Sequence, residues 1–100
     1  MYKLLFYDIE NDKARTKLAK KAEELGLVRL QYSVFLGNGN QVYWSKVYEQ
    51  VKKIGEKFDL AKDSCCLLIV EEKYIKGMTI VGKKSIMNNF VIDDPTWIIL

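Results

Sequence analysis

An acidic residue that directly follows an apolar segment is the first place in this sequence where chemistry could occur. Residues 2–7 are aromatic or aliphatic apart from Lys3, which is typical of a strand buried on both faces. Asp8 follows in period with Leu4 and Phe6, so its side chain is predicted to lie on their side of the sheet. A carboxylate at the end of a buried strand needs a hydrogen-bond donor, a cation or a metal ion. Asp8 is therefore either a residue that caps a helix or starts a turn, or part of a functional site.

The 100-residue chain contains no histidine, and this excludes several classes of active site. No imidazole can act as a general base, activate a serine or cysteine nucleophile, or ligate zinc. The two cysteines, Cys65 and Cys66, are adjacent, so in a strand they would point to opposite faces and form neither a disulfide framework nor a metal knuckle. Catalysis would have to rest on carboxylates, lysines, tyrosines or a hard metal ion bound by oxygen.

Length and composition indicate one ordinary globular domain, with 49% hydrophobic and 29% charged residues. No apolar run approaches the roughly 20 residues that a membrane-spanning helix needs. Lys3 and Asp8 interrupt the apolar start, which does not fit a signal peptide. We therefore expect a cytoplasmic protein without a membrane partner.

The basic residues are informative through their placement, because a net charge of +3 does not by itself indicate nucleic-acid binding. A helix is predicted over residues 12–25, with Asn11 or Asp12 as its N-cap and Gly26 as its C-terminal stop. Its basic residues lie on the polar side: Lys13, Arg15, Lys17, Lys20 and Lys21. They form either a solvent-exposed face or a patch that neutralises phosphates.

The rest of the chain predicts three more strands and a second helix. Residues 28–36 alternate and predict a single strand, and the turn over residues 37–40 offers Asn40 as a candidate cap for the second amphipathic helix. Residues 65–70 are apolar without alternation and predict another strand buried on both faces, while residues 78–81 predict a short fourth strand. The predicted order is strand, helix, strand, helix, strand, strand.

The burial pattern predicts how the sheet is covered. The strands over residues 2–7 and 65–70 should be central, because both their faces are apolar. Two helices can cover only one face of the sheet, which would leave the other as an apolar patch too large for a monomer. We therefore predict a homodimer in which sheet packs on sheet across a two-fold axis. Two copies of Asp8 would then approach, and a proton or a divalent cation such as Mg²⁺ would have to lie between them.

Three segments together resemble a known family. They are Tyr7-Asp8-Ile9 followed by Asp12-Lys13-x-Arg15, the run from Gly26 to Phe35 that contains Gln31-x-Ser33-Val34-Phe35, and Thr79-Ile80-Val81-Gly82-Lys83. With these motifs the chain resembles the CRISPR-associated Cas2 family, the small partner of the CRISPR integrase. The resemblance covers residues 1–82.

The resemblance implies an α+β, ferredoxin-like βαββαβ fold with both helices on one face, in which the segment over residues 31–37 is bent or split. It also implies a sheet-to-sheet homodimer and cleavage of phosphodiester bonds in RNA or duplex DNA, dependent on Mg²⁺ or Mn²⁺. Members of the family also serve as the scaffold on which the integrase holds new spacer DNA.

The resemblance further implies roles for individual residues. Asp8 from both protomers would be the catalytic, metal-binding residue, and Tyr7 and Phe35 would shape the site. Leu36 stands where the family often has an acid, so this strand supplies no second carboxylate. The residues expected to contact nucleic acid are Lys13, Arg15, Lys17, Arg29, Ser33, Lys83 and Lys84.

The sequence predicts a division of the chain into two parts and leaves four functions to be distinguished. Residues 1–82 would form the ferredoxin-like domain, and residues 83–100 a C-terminal extension that packs on the partner protomer or on the integrase. The first function is a Mg²⁺-dependent endonuclease, and the second is a non-catalytic DNA-binding scaffold in spacer acquisition. The others are a toxin ribonuclease of the VapD type and a small regulatory dimer with no role in nucleic-acid binding.

Overall fold

The computed structural model describes residues 1–81 and 96–98, which form an α+β fold. In chain order its elements are β1 (Tyr2–Asp8), α1 (Asp12–Glu24), β2 (Val28–Gln31), β3 (Val34–Asn38), α2 (Trp44–Gly55), β4 (Ser64–Val70), α3 (Glu72–Lys76), β5 (Thr79–Val81) and β6 (Thr96–Ile98).

A four-stranded sheet in the order β2-β3-β1-β4 forms the centre of the fold, and all its neighbouring strands are antiparallel. β1 is paired on both sides, so that Leu5 lies opposite Phe35 of β3 and Leu67 of β4. Since each inner strand satisfies its backbone groups through both neighbours, β1 and β3 are the positions where an apolar sequence is best accommodated.

The single strand predicted over residues 28–36 is wrong, because the segment divides into β2 and β3. Tyr32 and Ser33 form the turn between them, and the pairing register shifts between Arg29 and Gln31. This hairpin supplies the strand that the predicted order lacked, and the order up to Val70 is β-α-β-β-α-β. The split also lies within the segment that the family resemblance expected to be bent or split.

The predicted central position of residues 65–70 is also wrong, because β4 lies at an edge of the four-stranded sheet. Its side chains are only partly covered, with Leu68 54% and Ile69 61% exposed. The sequence is apolar enough for a central strand, but within the described residues a second neighbour for β4 is absent.

Both long helices pack on one face of the sheet. Their buried residues, among them Leu18 of α1 and Val47 of α2, form one cluster with Leu5, Tyr7 and Phe35 of the sheet. Strand alternation places Leu5 and Tyr7 of β1 on this helix-covered face. The hydrophobic core therefore lies between the sheet and the helix layer, as the sequence predicted.

Lys3 is a charged residue within this helix-covered face. Its side chain is buried, and its Nζ donates a hydrogen bond of 2.6 Å to Tyr48 Oη. The same Nζ lies 4.9 Å from the centre of the Trp44 ring and 4.8 Å from that of Tyr48. The ammonium group is thus compensated by a hydroxyl and two aromatic faces, and this contact joins β1 to α2.

The helix ends follow local sequence signals only in part. Asn11 caps α1, since its Oδ1 accepts a hydrogen bond of 3.0 Å from the Ala14 amide, and Gly26 beyond the helix has a φ of 95°. Asn40 does not cap α2, because that helix begins at Trp44 with Tyr43 in the cap position and without a side-chain cap.

The opposite face of the sheet, called here the open face, carries Leu4, Phe6 and Asp8 of β1 and Cys66 and Leu68 of β4. The short helix α3 covers part of it, where the sequence of residues 73–77 predicts only a connection. Its Ile75 packs with Tyr2, Leu36 and Val70 in a second, smaller cluster.

The rest of the open face is partly exposed to solvent. Phe6 is 38% exposed and Leu68 is 54% exposed. The prediction that residues 2–7 are buried on both faces therefore does not hold for Phe6 within one chain.

The last described strand pairs with the strand that precedes it in the chain. β6 pairs in parallel with β5, with Thr79 opposite Thr96 and Val81 opposite Ile98. The basic residues Lys83 and Lys84 lie outside the described residues, and so do residues 90–92, for which the sequence predicts a possible short strand. The division of the chain at residue 82 stays a prediction.

Among the helices that the structure describes, none combines the length and the apolar character that crossing a bilayer would require.

Replacing Asn11 with Ala tests the cap of α1. The variant loses the oxygen that accepts the Ala14 amide, so we expect the free energy of unfolding to fall by about 1 kcal/mol in urea denaturation. Asn40→Ala is the matched control, because Asn40 is exposed and belongs to neither helix. It should change the stability by less than about 0.5 kcal/mol. Equal losses in the two variants would contradict the assignment of the cap.

Candidate functional site

Asp8 is the last residue of β1 and lies at the end of the open face. It is exposed and stands opposite Ser64 of β4. The register confirms that its side chain lies on the same side of the sheet as Leu4 and Phe6. Since Asn11 caps α1, Asp8 is not the helix cap that the sequence allowed. Within the described residues its carboxylate has no ion pair, and so it is available to a ligand.

One chain offers few ligands to a metal ion here. In residues 1–81 and 96–98 there is no group of three or more histidine, cysteine, aspartate or glutamate side chains that could hold a metal. The Asp8 carboxylate alone fits a hard cation such as Mg²⁺, which binds oxygen, uses one or two carboxylates and keeps several waters. Within the part of the chain that the structure describes, Asp8 therefore belongs to no ready-made cluster of metal ligands.

The segment after Asp8 is held by a loop distant in sequence. Asp63 accepts hydrogen bonds of 2.8 Å from the Glu10 amide and 2.9 Å from the Asp59 amide. The amides of Asp59 and Glu10 lower the pKa of the Asp63 carboxyl. Lys62 adds an ion pair to Glu10 at 3.5 Å. This loop fixes the direction in which the chain leaves Asp8, and no local sequence pattern indicated it.

Arg15 reaches back from α1 to the end of β1. Its Nη1 donates to the Ile9 carbonyl oxygen at 3.0 Å, and its other Nη forms an ion pair with Asp12. The guanidinium group of Arg15 therefore holds the backbone at Ile9, the residue that follows Asp8. Of the predicted nucleic-acid contacts on α1, Arg15 is the one directly connected to this strand end.

A cavity of about 330 Å³ opens beside Arg15 on the helix-covered side. We call it the arginine groove. Its lining comes from β1, α1, β2 and the turn after β2: Tyr7, Arg15, Thr16, Ala19, Lys20, Glu23, Arg29 and Tyr32. Three of these side chains are basic and one is acidic, so the groove is suited to an anion.

Arg29 and Tyr7 form the inner wall of the arginine groove. The Arg29 guanidinium carbon lies 5.0 Å from the centre of the Phe35 ring, and the Tyr7 and Phe35 rings stack with centroids 6.3 Å apart. Burial raises the pKa of Tyr7, an effect that the nearby Arg29 partly opposes, so the phenol is neutral at physiological pH. An ion pair of 3.8 Å joins Arg29 to Glu23.

The predicted site residues thus divide into separate groups. Tyr7, Arg15 and Arg29 meet at the arginine groove, and Ser33 lies in the adjoining turn, where its carbonyl accepts a hydrogen bond from the Tyr7 amide at 3.1 Å. Phe35 is fully buried and acts through packing. The predicted contacts Lys83 and Lys84 lie outside the described residues.

Lys13 and Lys17 line a different cavity, between the N-terminal part of α1 and the C-terminal end of α2. Lys53 and Lys57 lie on its other side, so four lysines face this depression, called here the lysine cleft. In the sequence these lysines belong to two separate amphipathic segments. Their convergence depends on the packing of α1 on α2, which no single-helix pattern contains.

Tyr32 is the residue that sequence reasoning missed. The alternation of residues 28–36 placed it on the apolar face of a strand, whereas in the structure it lies in the turn and is 72% exposed. The available signal in the sequence was an aromatic residue close to Arg29 and directly before a polar residue, Ser33.

Cys65 takes no part in the site, and Cys66 lies exposed on the open face. Cys65 lies half-buried beneath the helices, and burial raises the pKa of its thiol to about 12. A thiol with that pKa is protonated at neutral pH and is a poor nucleophile.

Comparison with known proteins identifies the family. Residues 1–78 match the sequence model for CRISPR-associated protein Cas2. The chain is 30% identical over 70 residues to the CRISPR-associated endoribonuclease Cas2 of Aeropyrum pernix, an alignment that covers 70% of this chain and 73% of the relative. It is 37% identical over 70 residues to the CRISPR-associated endoribonuclease Cas2 1 of Archaeoglobus fulgidus, covering 70% and 69% of the two chains.

A solved structure agrees with the fold. The crystal structure of Streptococcus pyogenes Cas2 at pH 6.5 superposes with a TM-score of 0.57 at 21% sequence identity, over 75% of this chain and 92% of that one. The match of residues 1–78 covers most of the chain and includes the strand end with Asp8. The chain therefore belongs to the CRISPR-associated Cas2 family.

Proposed function

We propose that this protein is a CRISPR-associated endonuclease that cleaves phosphodiester bonds in RNA or DNA with a divalent cation, Mg²⁺ or Mn²⁺. The observation that carries the proposal is the exposed Asp8 carboxylate at the end of the central strand, on the sheet face that the two long helices leave free. The relatives from Aeropyrum pernix and Archaeoglobus fulgidus are named endoribonucleases, which supports the same activity here.

We further propose that the working form is a ferredoxin-like homodimer in which the open faces of two protomers pack together. The exposed Phe6 and Leu68 support this arrangement, since burying them in the dimer would remove apolar surface from water. The partner protomer would bring a second Asp8 towards the first, and the two carboxylates with water would satisfy a hard cation.

Asp8 is in this proposal the residue that holds the cation and so positions it at the scissile phosphate. A divalent cation bound there would activate water and stabilise the negative charge that develops on the phosphate. Arg15, bound to the Ile9 carbonyl, would keep the backbone beyond Asp8 in place and neutralise a neighbouring phosphate.

A CRISPR integrase is the protein partner that family membership suggests, with residues 83–100 as the proposed contact to it or to the partner protomer. A cytoplasmic location is likewise part of the proposal, and the free thiols of Cys65 and Cys66 fit a reducing compartment.

Replacing Asp8 with Asn tests the catalytic assignment. The amide keeps the size of the side chain but removes the charge that holds the cation, so Mg²⁺-dependent cleavage should fall by at least about 100-fold. The assay uses RNA, single-stranded DNA and duplex DNA, each with Mg²⁺ and with a chelator.

Glu49→Gln is the matched control, since Glu49 is an exposed acid on α2 away from the open face. It should cleave as the unmodified protein does. Unchanged cleavage by Asp8→Asn would show that the carboxylate does not hold a catalytic cation.

Replacing Leu68 with Glu tests the dimer. Two buried carboxylates in the apolar interface would be costly, so the variant should dissociate at concentrations where the unmodified protein is a dimer. Light scattering should give twice the 11.6 kDa chain mass for the unmodified protein and the single mass for the variant. Leu60→Glu is the control, because Leu60 is 93% exposed in the loop before β4. A monomeric unmodified protein at micromolar concentration would refute the dimer.

A second candidate function, a non-catalytic scaffold that binds duplex DNA, is favoured by the lysine cleft. Two of its four lysines come from α1, one from α2 and one, Lys57, from the residues just beyond α2. With Glu56 as the one acid in the lining, the cleft presents an excess of positive charge to a phosphate backbone. This function and cleavage at Asp8 are compatible, because the cleft and the open face lie on different sides of the sheet.

The double variant Lys13→Glu with Lys17→Glu tests the scaffold. It should weaken duplex binding and reduce the slope of log K against log salt concentration by about 1 for each phosphate that the variant no longer neutralises. The control reverses two exposed lysines of α2 that do not line the cleft, Lys46 and Lys52. Equal losses in both double variants would indicate a general effect of net charge rather than a role for the cleft.

A further inference from the structure

The turn between β2 and β3 presents an exposed aromatic ring on a fixed backbone. Tyr32 is 72% exposed, although its carbonyl accepts a hydrogen bond of 3.4 Å from Tyr7 Oη. The adjoining Ser33 carbonyl accepts the Tyr7 amide at 3.1 Å. Both bonds tie the turn to β1, the central strand. The backbone that carries the Tyr32 ring is therefore held in place, while the ring itself remains open to solvent.

Basic side chains surround this ring. The Arg29 guanidinium carbon lies 6.0 Å from the centre of the Tyr32 ring, and Arg15 and Lys20 line the same groove. Glu23, the acid in the lining, is engaged by Arg29 at 3.8 Å. Arg15 is paired with Asp12, which does not line the groove. The groove thus combines an aromatic face with three cationic side chains and one acidic one.

We propose that the arginine groove is a subsite for one unpaired nucleotide, whose base stacks on Tyr32 and whose phosphate binds to Arg15 and Arg29. Aromatic rings next to cationic groups are how proteins bind single-stranded nucleic acid, because every base has a face that can stack. Inside a duplex those faces are covered by neighbouring bases. Tyr32 therefore selects a strand, or the end of a strand, that is not paired.

Two other exposed tyrosines show what is particular to Tyr32. Tyr43 and Tyr74 are 66% and 62% exposed, and each has one lysine near its ring, Lys46 at 5.6 Å and Lys73 at 5.1 Å. Neither lines the arginine groove. Exposure and one nearby lysine are thus common to several tyrosines, whereas the combination with two arginines is found at Tyr32.

The subsite also lies at the same end of β1 as the proposed catalytic residue. Tyr7 lines the groove, and Asp8 is the next residue, with its side chain on the opposite face of the sheet. A nucleotide strand with one base at Tyr32 would therefore pass close to Asp8. This inference rests on the proposed binding of nucleic acid but not on cleavage.

The test compares binding of a single-stranded oligonucleotide and of a blunt duplex of the same sequence, each as RNA and as DNA. Fluorescence anisotropy is recorded in the presence of a chelator, so that cleavage does not interfere. Tyr32→Ala should weaken binding of the single strand about tenfold, the loss expected for one stacked base. Its affinity for the blunt duplex should change less than about twofold, and Tyr32→Phe should bind both as the unmodified protein does.

Tyr74→Ala is the matched control and should leave both affinities unchanged, since Tyr74 lies on α3 away from the groove. Thermal unfolding of each variant confirms that the fold is retained. An equal loss on single strand and duplex, or no loss on either, would overturn the stacking role while leaving nucleic-acid binding in place. If the unmodified protein binds neither form, the inference and the proposed function both fail.

Discussion

The pairing of β1 on both sides is the constraint on which the rest of the structure depends. Because β3 and β4 both bond to it, the register of β1 is fixed and its side chains alternate without freedom to slip. Leu5 and Tyr7 are thereby committed to the helix-covered core, and Phe6 and Asp8 to the open face. A shift of one residue would place the Asp8 carboxylate under the helices and Tyr7 in solvent, which would destroy the core and the candidate site together.

The contact between β1 and α2 shows how this constraint is reinforced by side chains. Lys3 lies on the core side, where an uncompensated ammonium group would be costly, and the Tyr48 hydroxyl and the Trp44 ring compensate it. Trp44 can lie there because β3 has Gly37 at the crossing, where an added Cβ would come within 2.7 Å of the indole ring. The charge of Lys3 and the absence of a side chain at Gly37 therefore belong to one packing arrangement.

Local patterns predicted the features that depend on neighbours in sequence. The face of Asp8 and the end of α1 before Gly26 follow from strand period and helix-end chemistry, which also reduced the N-cap of α1 to Asn11 or Asp12. The division of β2 from β3 could not be read in the same way, because the turn contains neither glycine nor proline and the alternation runs through Tyr32. Likewise an apolar run such as β4 is equally suited to the centre of a sheet and to an edge strand that a partner would cover. The family resemblance located the split because it carries information from other chains.

The arginine groove and the Asp8 site lie on opposite faces of the same strand, β1, and this decides from which side nucleic acid can reach Asp8. Tyr7 and Asp8 are consecutive, yet one faces the arginine groove and the other the open face. If two open faces pack together, the Asp8 carboxylates become enclosed by protein, whereas the groove stays outside the interface. Nucleic acid would then have to approach Asp8 from the end of the sheet, where the turn with Tyr32 and the guanidinium group of Arg15 lie. The residues that first meet the substrate would thus be those on the helix-covered side, and they, rather than the acid proposed to bind the metal ion, would decide which nucleic acid enters.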